Sequence, residues 1–384
     1  MSYPSGPAPR DPYRDSDGRW RQESQTEVLS AYRTNLVDPD REAVEPEVSP
    51  EVERKQRKKA RRRKVRKVLL ICLVVLVLLG AGGAFAGWRY LRSVENDVTK
   101  VDAFDDIPVA ERPEVPAALT KAMNVLILGS DSRDPDASGS RADTIMVAHV
   151  TTDHKTAQIV SIPRDTWVDI PKTPDGKHGG VKGKINWSFA WGGIPLMVRS
   201  VESFTKVRID HVIVIDFAGF KEVVDAVGGI DIYNERTFQS SFWEHNNYVF
   251  KQGTLHLNGE MALEYARQRK NLPNGDFDRI KNQQKVVKAV LDKATSAGVI
   301  ADPGKLTGFL RAVAKTITTD KQFDLISTAM DLRGIKSGQI KFMTSPSKGT
   351  GMVGDQSVVF ADTTAAKSLF TALKEDRAAN WTKP

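Results

Sequence analysis

Apolar and polar positions divide the chain into three regimes. Residues 1–50 are rich in Pro, Ser, Asp, Arg and Gln and show little apolar periodicity. Such a segment cannot bury enough apolar surface to offset its chain entropy, and it is expected to be a disordered tail. Residues 68–88 (VLLICLVVLVLLGAGGAFAGW) carry no charge over 21 positions. At 1.5 Å per residue they would span ~31 Å as a helix, the thickness of a bilayer core. This predicts a single transmembrane helix, with Trp88 and Tyr90 at the interfacial aromatic belt. From Asn124 onward short apolar runs alternate with segments of helical period. Strands are predicted at 124–129, 144–150, 157–162, 211–216, 230–233, 339–343 and 357–360. Helices are predicted at 217–227, 257–266, 276–297, 306–317, 323–332 and 363–373, with Asn258 placed to cap the second. This alternation predicts an α/β fold, a mixed central sheet with helices on both faces.

Charge changes the picture at one place. The net charge of +8 over 384 residues would suggest a nucleic-acid partner. Yet eleven positive residues and no acidic one fall in 54–67, directly before the apolar run. By the positive-inside rule that run marks the cytoplasmic side, with anionic lipid within reach. Residues 89–384 are then extracellular and nearly neutral, and no nucleic-acid partner is expected. The expected organisation is a cytoplasmic tail over 1–67, the membrane helix over 68–88, an extracellular stalk over 89–121 with Pro108, Pro113 and Pro116, and a catalytic domain over 122–384. The apolar run begins too late and is too long for a cleaved signal peptide. The single cysteine, Cys72, excludes a disulfide framework and a Cys-rich zinc site.

Candidate chemistry gathers in four clusters. They are Gly129-Ser130-Asp131-Ser132-Arg133, Arg141-Ala142-Asp143-Thr144, Ser161-Ile162-Pro163-Arg164-Asp165-Thr166, and Tyr265-Ala266-Arg267-Gln268-Arg269 followed by Asp276-Phe277-Asp278-Arg279 and Gln283. The first three adjoin predicted strand ends, where α/β sheets commonly bind ligands. Arginine presents a planar fork for phosphate oxygens, and aspartate supplies hard ligands for Mg²⁺. Together they suit an anion carried with its metal. Arg267 and Arg269 would share one side of an extended segment, while Arg279 and Gln283 share a helix face that Asp276 would cap. Each charged group also has a plainer reading as a salt bridge or turn cap, Asp165 and Asp278 above all. Gly349–Gly354 matches GxGxxG but precedes a predicted strand, and reads as a glycine-rich loop. No GxSxG elbow and no Walker lysine motif occur, and the scattered histidines do not suggest zinc.

In this order, after an N-terminal apolar helix, NVLILGSDSR, RADTIMV, SIPRDTWV, KINWSFAWGG, HVIVIDFAGF, LNGEMALEYARQRK and DFDRIKNQQ resemble the LytR-CpsA-Psr family of bacterial envelope enzymes. The resemblance implies an α-β-α sandwich with an apolar lipid pocket. It implies a phosphotransferase that moves a glycopolymer phosphate from a polyprenyl-pyrophosphate carrier to a peptidoglycan hydroxyl, usually the C6 hydroxyl of N-acetylmuramic acid. The polymer could be teichoic acid, arabinogalactan or capsule. On this chain Asp131 and Asp143 would hold Mg²⁺ or Mn²⁺. Arg164, Arg267, Arg269 and Arg279 would clamp the pyrophosphate with Gln283 in support, and Arg133 and Arg141 would be further members. Trp187 and Trp191 stand where smaller residues are common in the family, which suits either a lipid or sugar surface or core packing. Competing readings are a lipid-pyrophosphate hydrolase, a transcriptional regulator supported only by the basic run, and a passive wall-binding module.

Overall fold

The computed structural model describes residues 92–131, 141–241, 248–270, 272–296 and 302–384, with single positions at 54, 58, 87, 89, 90 and 299. Apart from positions 54, 58 and 87, the expected tail, its basic run and the membrane helix lie outside these residues. Among the described residues no helix is long and apolar enough to cross a membrane. The chain divides into Met1–Gly80 and Ala81–Pro384, and the second unit carries the fold.

In chain order its strands are β1 (Thr99–Val101), β2 (Met123–Ser130), β3 (Ala142–Val150), β4 (Ala157–Ser161), β5 (Trp167–Ile170), β6 (Val181–Lys184), β7 (His211–Asp216), β8 (Ile230–Asn234), β9 (Phe238–Gln239), β10 (Val249–Phe250), β11 (Gly253–Leu257), β12 (Ile317–Asp320), β13 (Ile340–Thr344), β14 (Ser347–Val353) and β15 (Gln356–Ala361). The helices that position the site are α1 (Trp187–Thr205), α2 (Phe217–Ala226), α3 (Gly259–Arg267), α4 (Asp276–Ala294), α5 (Pro303–Thr316), α6 (Leu325–Leu332) and α7 (Thr363–Lys374). Seven strands form the central sheet in the order β1-β12-β7-β2-β3-β4-β13. The β1/β12, β2/β7 and β4/β13 pairs are parallel; the other three are antiparallel, so the sheet is mixed as expected.

Side chains alternate across a strand, and here both faces are covered. On one face Leu126, Leu128, Ile145, Val147, Val212 and Val214 pack with Phe189, Met197 and Val201 of α1 and Leu369 and Phe370 of α7. On the other, Ile213 and Ile215 meet residues of α5 and α6, while Ile127 and Met146 face α2, α3 and α4 across a cavity. Burial on both faces is why the strands read as continuous apolar runs. Side-chain caps open five of these helices, α2, α3, α5, α6 and α7. Asp216 accepts the Gly219 N–H at the start of α2, and Asn258 accepts the Met261 N–H at 2.9 Å, as its position predicted.

Four expectations are corrected. The segment 89–121 is not wholly a stalk. It supplies β1 to the sheet edge, and it buries Val94, Val98, Ala103 and Ile107. Its Arg112 also forms a buried ion pair with Glu202 of α1 at 2.8 Å. Three residues offer too little alternation to be read as a strand. Gly349–Gly354 lies largely within β14, paired with β15, and Gly351 sits against the Phe360 ring, where a Cβ would lie 2.7 Å from Cε2. The helix expected over 306–317 starts at Pro303 behind the Asp302 cap, and Ile317 already begins β12. Asp276 is the first residue of α4 rather than its cap; Gly275 holds the cap position.

Candidate active site

The parallel strands β2, β7 and β4 end at the same edge of the sheet. There the β2–β3 ladder slips. Gly129 pairs with Thr144 but Ser130 pairs with Ala142, so Asp143 is the extra residue of a β-bulge. A bulge re-aims the side chain it carries, and Asp143 lines the cavity. Gly129 permits the close approach: a Cβ there would lie 2.9 Å from the Thr144 Cβ.

The cavity encloses about 360 Å³ between this edge and helices α2, α3 and α4. Its wall is divided by chemistry. Ile127, Met146, Ile215, Phe220, Leu263, Val286 and Val287 make an apolar part, and Asp143, Arg164, Arg267, Arg269, Lys270 and Arg279, with the neutral amide of Gln283, a polar one. Five cationic side chains face two carboxylates, Asp143 and Asp216, which leaves an excess of positive charge along the lining.

The arginines are held in different ways. Arg164 follows β4 and pairs through Nη1 with Asp143. Its Nε lies 3.9 Å from Asp165, which is itself 3.9 Å from Lys184. Burial opposes the charge on Arg164, but Asp143 and Asp165 outweigh it and its pKa is raised. Arg279 is 5% exposed and pairs with Asp276 at 2.6 Å. Burial pushes its pKa below the ordinary arginine value; Asp276 opposes this, while Arg164 and Arg269 add to it. Arg267 ends α3 and lies over the Phe217 ring at 4.4 Å. Arg269 is just beyond that helix, 4.0 Å from Asp276. Of these arginines only Arg279 is buried, Arg164 and Arg267 are partly buried and Arg269 is exposed; a bound polyanion would relieve their mutual repulsion, and the forked donors match phosphate oxygens.

Six of the nine anticipated residues therefore share one cavity: Asp143, Arg164, Arg267, Arg269, Arg279 and Gln283. Arg267 and Arg269 reach it from a helix end rather than from an extended segment. Asp131 and Arg141 do not line it. Both are exposed at the same sheet edge, where the Arg141 N–H donates to Asp131 Oδ1 at 3.1 Å. Arg133 lies outside the described residues. The plainer readings hold for Asp278, which accepts the Asn274 N–H at 3.0 Å, and in part for Asp165. Sequence reasoning did not single out Asp216, Phe217 and Lys270, and it expected an apolar pocket without assigning the residues of its wall. A signal for the wall was present: Arg279, Gln283, Val286 and Val287 recur at helical spacing and share one face of α4.

Among the described residues no group of three or more Asp, Glu, His or Cys side chains gathers as a metal site. Mg²⁺ takes one or two carboxylates and completes its shell with substrate phosphate and water. Asp143, paired with Arg164, and Asp216, which caps α2, are the two carboxylates on the lining.

The LytR_cpsA_psr family matches residues 93–375. A polyisoprenyl-teichoic acid–peptidoglycan teichoic acid transferase, TagU, of Enterococcus faecalis is 34% identical over 254 residues, 66% of this chain and 78% of the relative. The TagU of Bacillus mycoides is 37% identical over 207 residues, but the match spans only 54% of this chain and 64% of the relative. Among solved structures, B. subtilis TagV is 29% identical and covers 67% of this chain and 97% of its own, with a TM-score of 0.58. A LytR-Csp2A-Psr enzyme from Actinomyces oris shares the fold at 20% identity and a TM-score of 0.56, over 72% of this chain and 96% of its own.

Proposed function

Because the chain belongs to the LytR-CpsA-Psr family, we propose that it is a phosphotransferase of the bacterial cell envelope. It takes a glycopolymer from a polyprenyl-pyrophosphate carrier and joins it to peptidoglycan. One observation carries this reading: a single cavity unites an arginine-rich wall with an apolar one. A lipid pyrophosphate is a polyanion fused to a hydrocarbon, and each buried CH₂ of its tail contributes about 0.8 kcal/mol. The named reaction of the TagU relatives supports the same substrate pair.

In this reading the acceptor hydroxyl oxygen bonds to the phosphorus on the glycan side. The bond from that phosphorus to the bridging oxygen breaks, the hydroxyl proton is released, and polyprenyl phosphate departs. The C6 hydroxyl of N-acetylmuramic acid is the proposed acceptor. Arg267 and Arg269 at the end of α3 and Arg279 on α4 bind the pyrophosphate from the helix side, and Arg164 binds it from the sheet side. Their charge matches the negative charge that grows on the phosphoryl oxygens and leaving group. Arg164 also holds the Asp143 carboxylate in place. Asp143, with Asp131 at the same sheet edge, would hold Mg²⁺ or Mn²⁺, which when bound supplies Lewis-acid polarisation of a phosphoryl oxygen. The pyrophosphate carries the free energy of the reaction, so no nucleotide is required.

The apolar run at 68–88 is proposed as the anchor that keeps this domain at the outer face of the cytoplasmic membrane, beside its lipid donor. Such a tether raises the effective concentration of both. Protease added to wall-free cells should digest residues 120–384 and spare the N-terminal tail.

The decisive assay incubates the full chain with a lipid-pyrophosphate glycan and peptidoglycan, then digests the wall and weighs the fragments. A phosphodiester-linked muropeptide is the expected product. Free glycan phosphate alone would identify a hydrolase instead.

A further inference from the structure

Three of the seven tryptophans of the chain gather outside the cavity. Trp167 meets Trp187 edge-on with ring centroids 6.0 Å apart, Trp187 meets Trp191 at 5.2 Å, and His178 stacks on Trp191 at 5.7 Å. None of the three indoles is fully buried, and His178 is exposed. Trp187 and Trp191 rest on the core, and Trp187 lies against the backbone of Gly183, where a Cβ would sit 2.6 Å from its ring. Core packing accounts for their inner edges. It does not account for three partly exposed indoles in a row with an exposed imidazole stacked at the end.

The row begins beside the phosphate-binding wall. The Asn186 N–H donates to the Arg164 carbonyl at 3.2 Å, and the Ile185 N–H donates to the Thr166 carbonyl at 2.9 Å. The chain leaving Arg164 therefore runs alongside the one leading into Trp187. Polar groups line the junction. Asp165 lies between Arg164 and Lys184, 3.9 Å from each. Lys184 in turn is the cross-strand partner of Trp167. Asn186 is 7% exposed and its Oδ1 has no hydrogen-bond partner. A buried acceptor left unpaired is costly, and a ligand hydroxyl would satisfy it.

We propose that Trp167, Trp187 and Trp191, with His178 at the rim, form a pyranose-binding subsite adjoining the phosphate wall. The proposal rests on the transferase reading, in which both substrates are glycans. The C–H face of a pyranose is apolar and slightly positive, and it complements the negative face of an indole. Ring hydroxyls at its edge are matched by Asn186, Lys184 and Asp165. The sugar is the one next to the reacting phosphate, from the acceptor strand or from the donor glycan.

The test uses the full chain labelled with fluorotryptophan, its resonances assigned by single Trp→Phe variants. It is titrated separately with lipid-free peptidoglycan glycan fragments and with lipid-free donor glycan. The Trp167, Trp187 and Trp191 resonances are expected to shift with one of the two, and that arm identifies the source. Trp191→Leu and His178→Ala should each weaken binding, the former about tenfold. Unchanged Tm in the exposed His178→Ala variant keeps the result interpretable if Trp191→Leu fails to fold. Resonances that stay still with both glycans, in a protein that transfers, overturn the subsite and leave the transferase reading standing. Shifts without any transfer or pyrophosphate binding have the opposite meaning.

Discussion

The two faces of the central sheet are built from the same strands and serve opposite ends. On the α1–α7 face, Leu126 is fully buried among Ile145, Val147, Met197 and Leu369. On the other face their neighbours Ile127 and Met146 look into a cavity that α2, α3 and α4 do not fill. One residue along the strand separates a position that stabilises the fold from one that can receive a ligand. Stability is concentrated on the closed face, and the open face can carry apolar surface and crowded charge because the closed face secures the strands.

The largest separation of the two faces should come from truncating adjacent residues of β2. Leu126→Ala opens an enclosed void and is expected to cost about 2–5 kcal/mol in denaturant unfolding. Ile127→Ala merely widens an existing cavity and should cost clearly less than Leu126→Ala. Equal losses would show that the open face is as tightly packed as the closed one. Next in size is Arg267→Ala, expected to lower the rate of transfer by about 10²–10³ with Tm nearly unchanged. Arg267→Lys should restore little, since an ammonium lacks the planar fork and the stacking on Phe217.

A smaller change should touch both faces at once. Gly129→Ala forces a Cβ to within 2.9 Å of the Thr144 Cβ, an overpacking expected to cost about 1–3 kcal/mol. Because it strains the bulge that aims Asp143, the transfer rate should fall as well, and a variant with lost stability but full activity would argue against the bulge as the positioning device. The smallest effect belongs to His149, at the edge of the sheet away from the cavity. Its ring is bonded to Asn124 at 2.8 Å and to Asp376 at 3.0 Å. Burial lowers its pKa from 6.5 despite the pull of Asp376. The fold thus favours neutral His149, while the unfolded chain binds the proton more readily. This contribution is complete above pH 6.5 and is lost as the pH falls from there toward the lower folded pKa. Melting curves of the wild type and His149→Gln across that range should converge toward acid, with binding at the cavity unaffected.

Periodicity located most sheet strands and the α2, α3, α4 and α7 helices, because their apolar residues repeat at intervals that burial imposes. It missed β1, too short to show a repeat, and the hairpin β5–β6, whose VKGK strand carries one valine. The arginines were legible through their chemistry and their place after strands or in helices. Asp131 and Arg141 were counted with them on the same grounds, yet they stand exposed at the edge of the sheet.

Residue order alone determined that this chain makes a mixed α/β sheet, that arginines and aspartates cluster at its strand ends, and that it resembles one family. It could do so because local spacing and side-chain chemistry are properties of the chain itself. Tertiary structure decided that Asp143 turns inward at a bulge, that Arg279 is buried against Asp276, and that Val286 and Leu263 close a cavity beside them. Those outcomes depend on which strand slips by one residue and which helix packs across from it, and such long-range register leaves no mark in any local stretch of sequence.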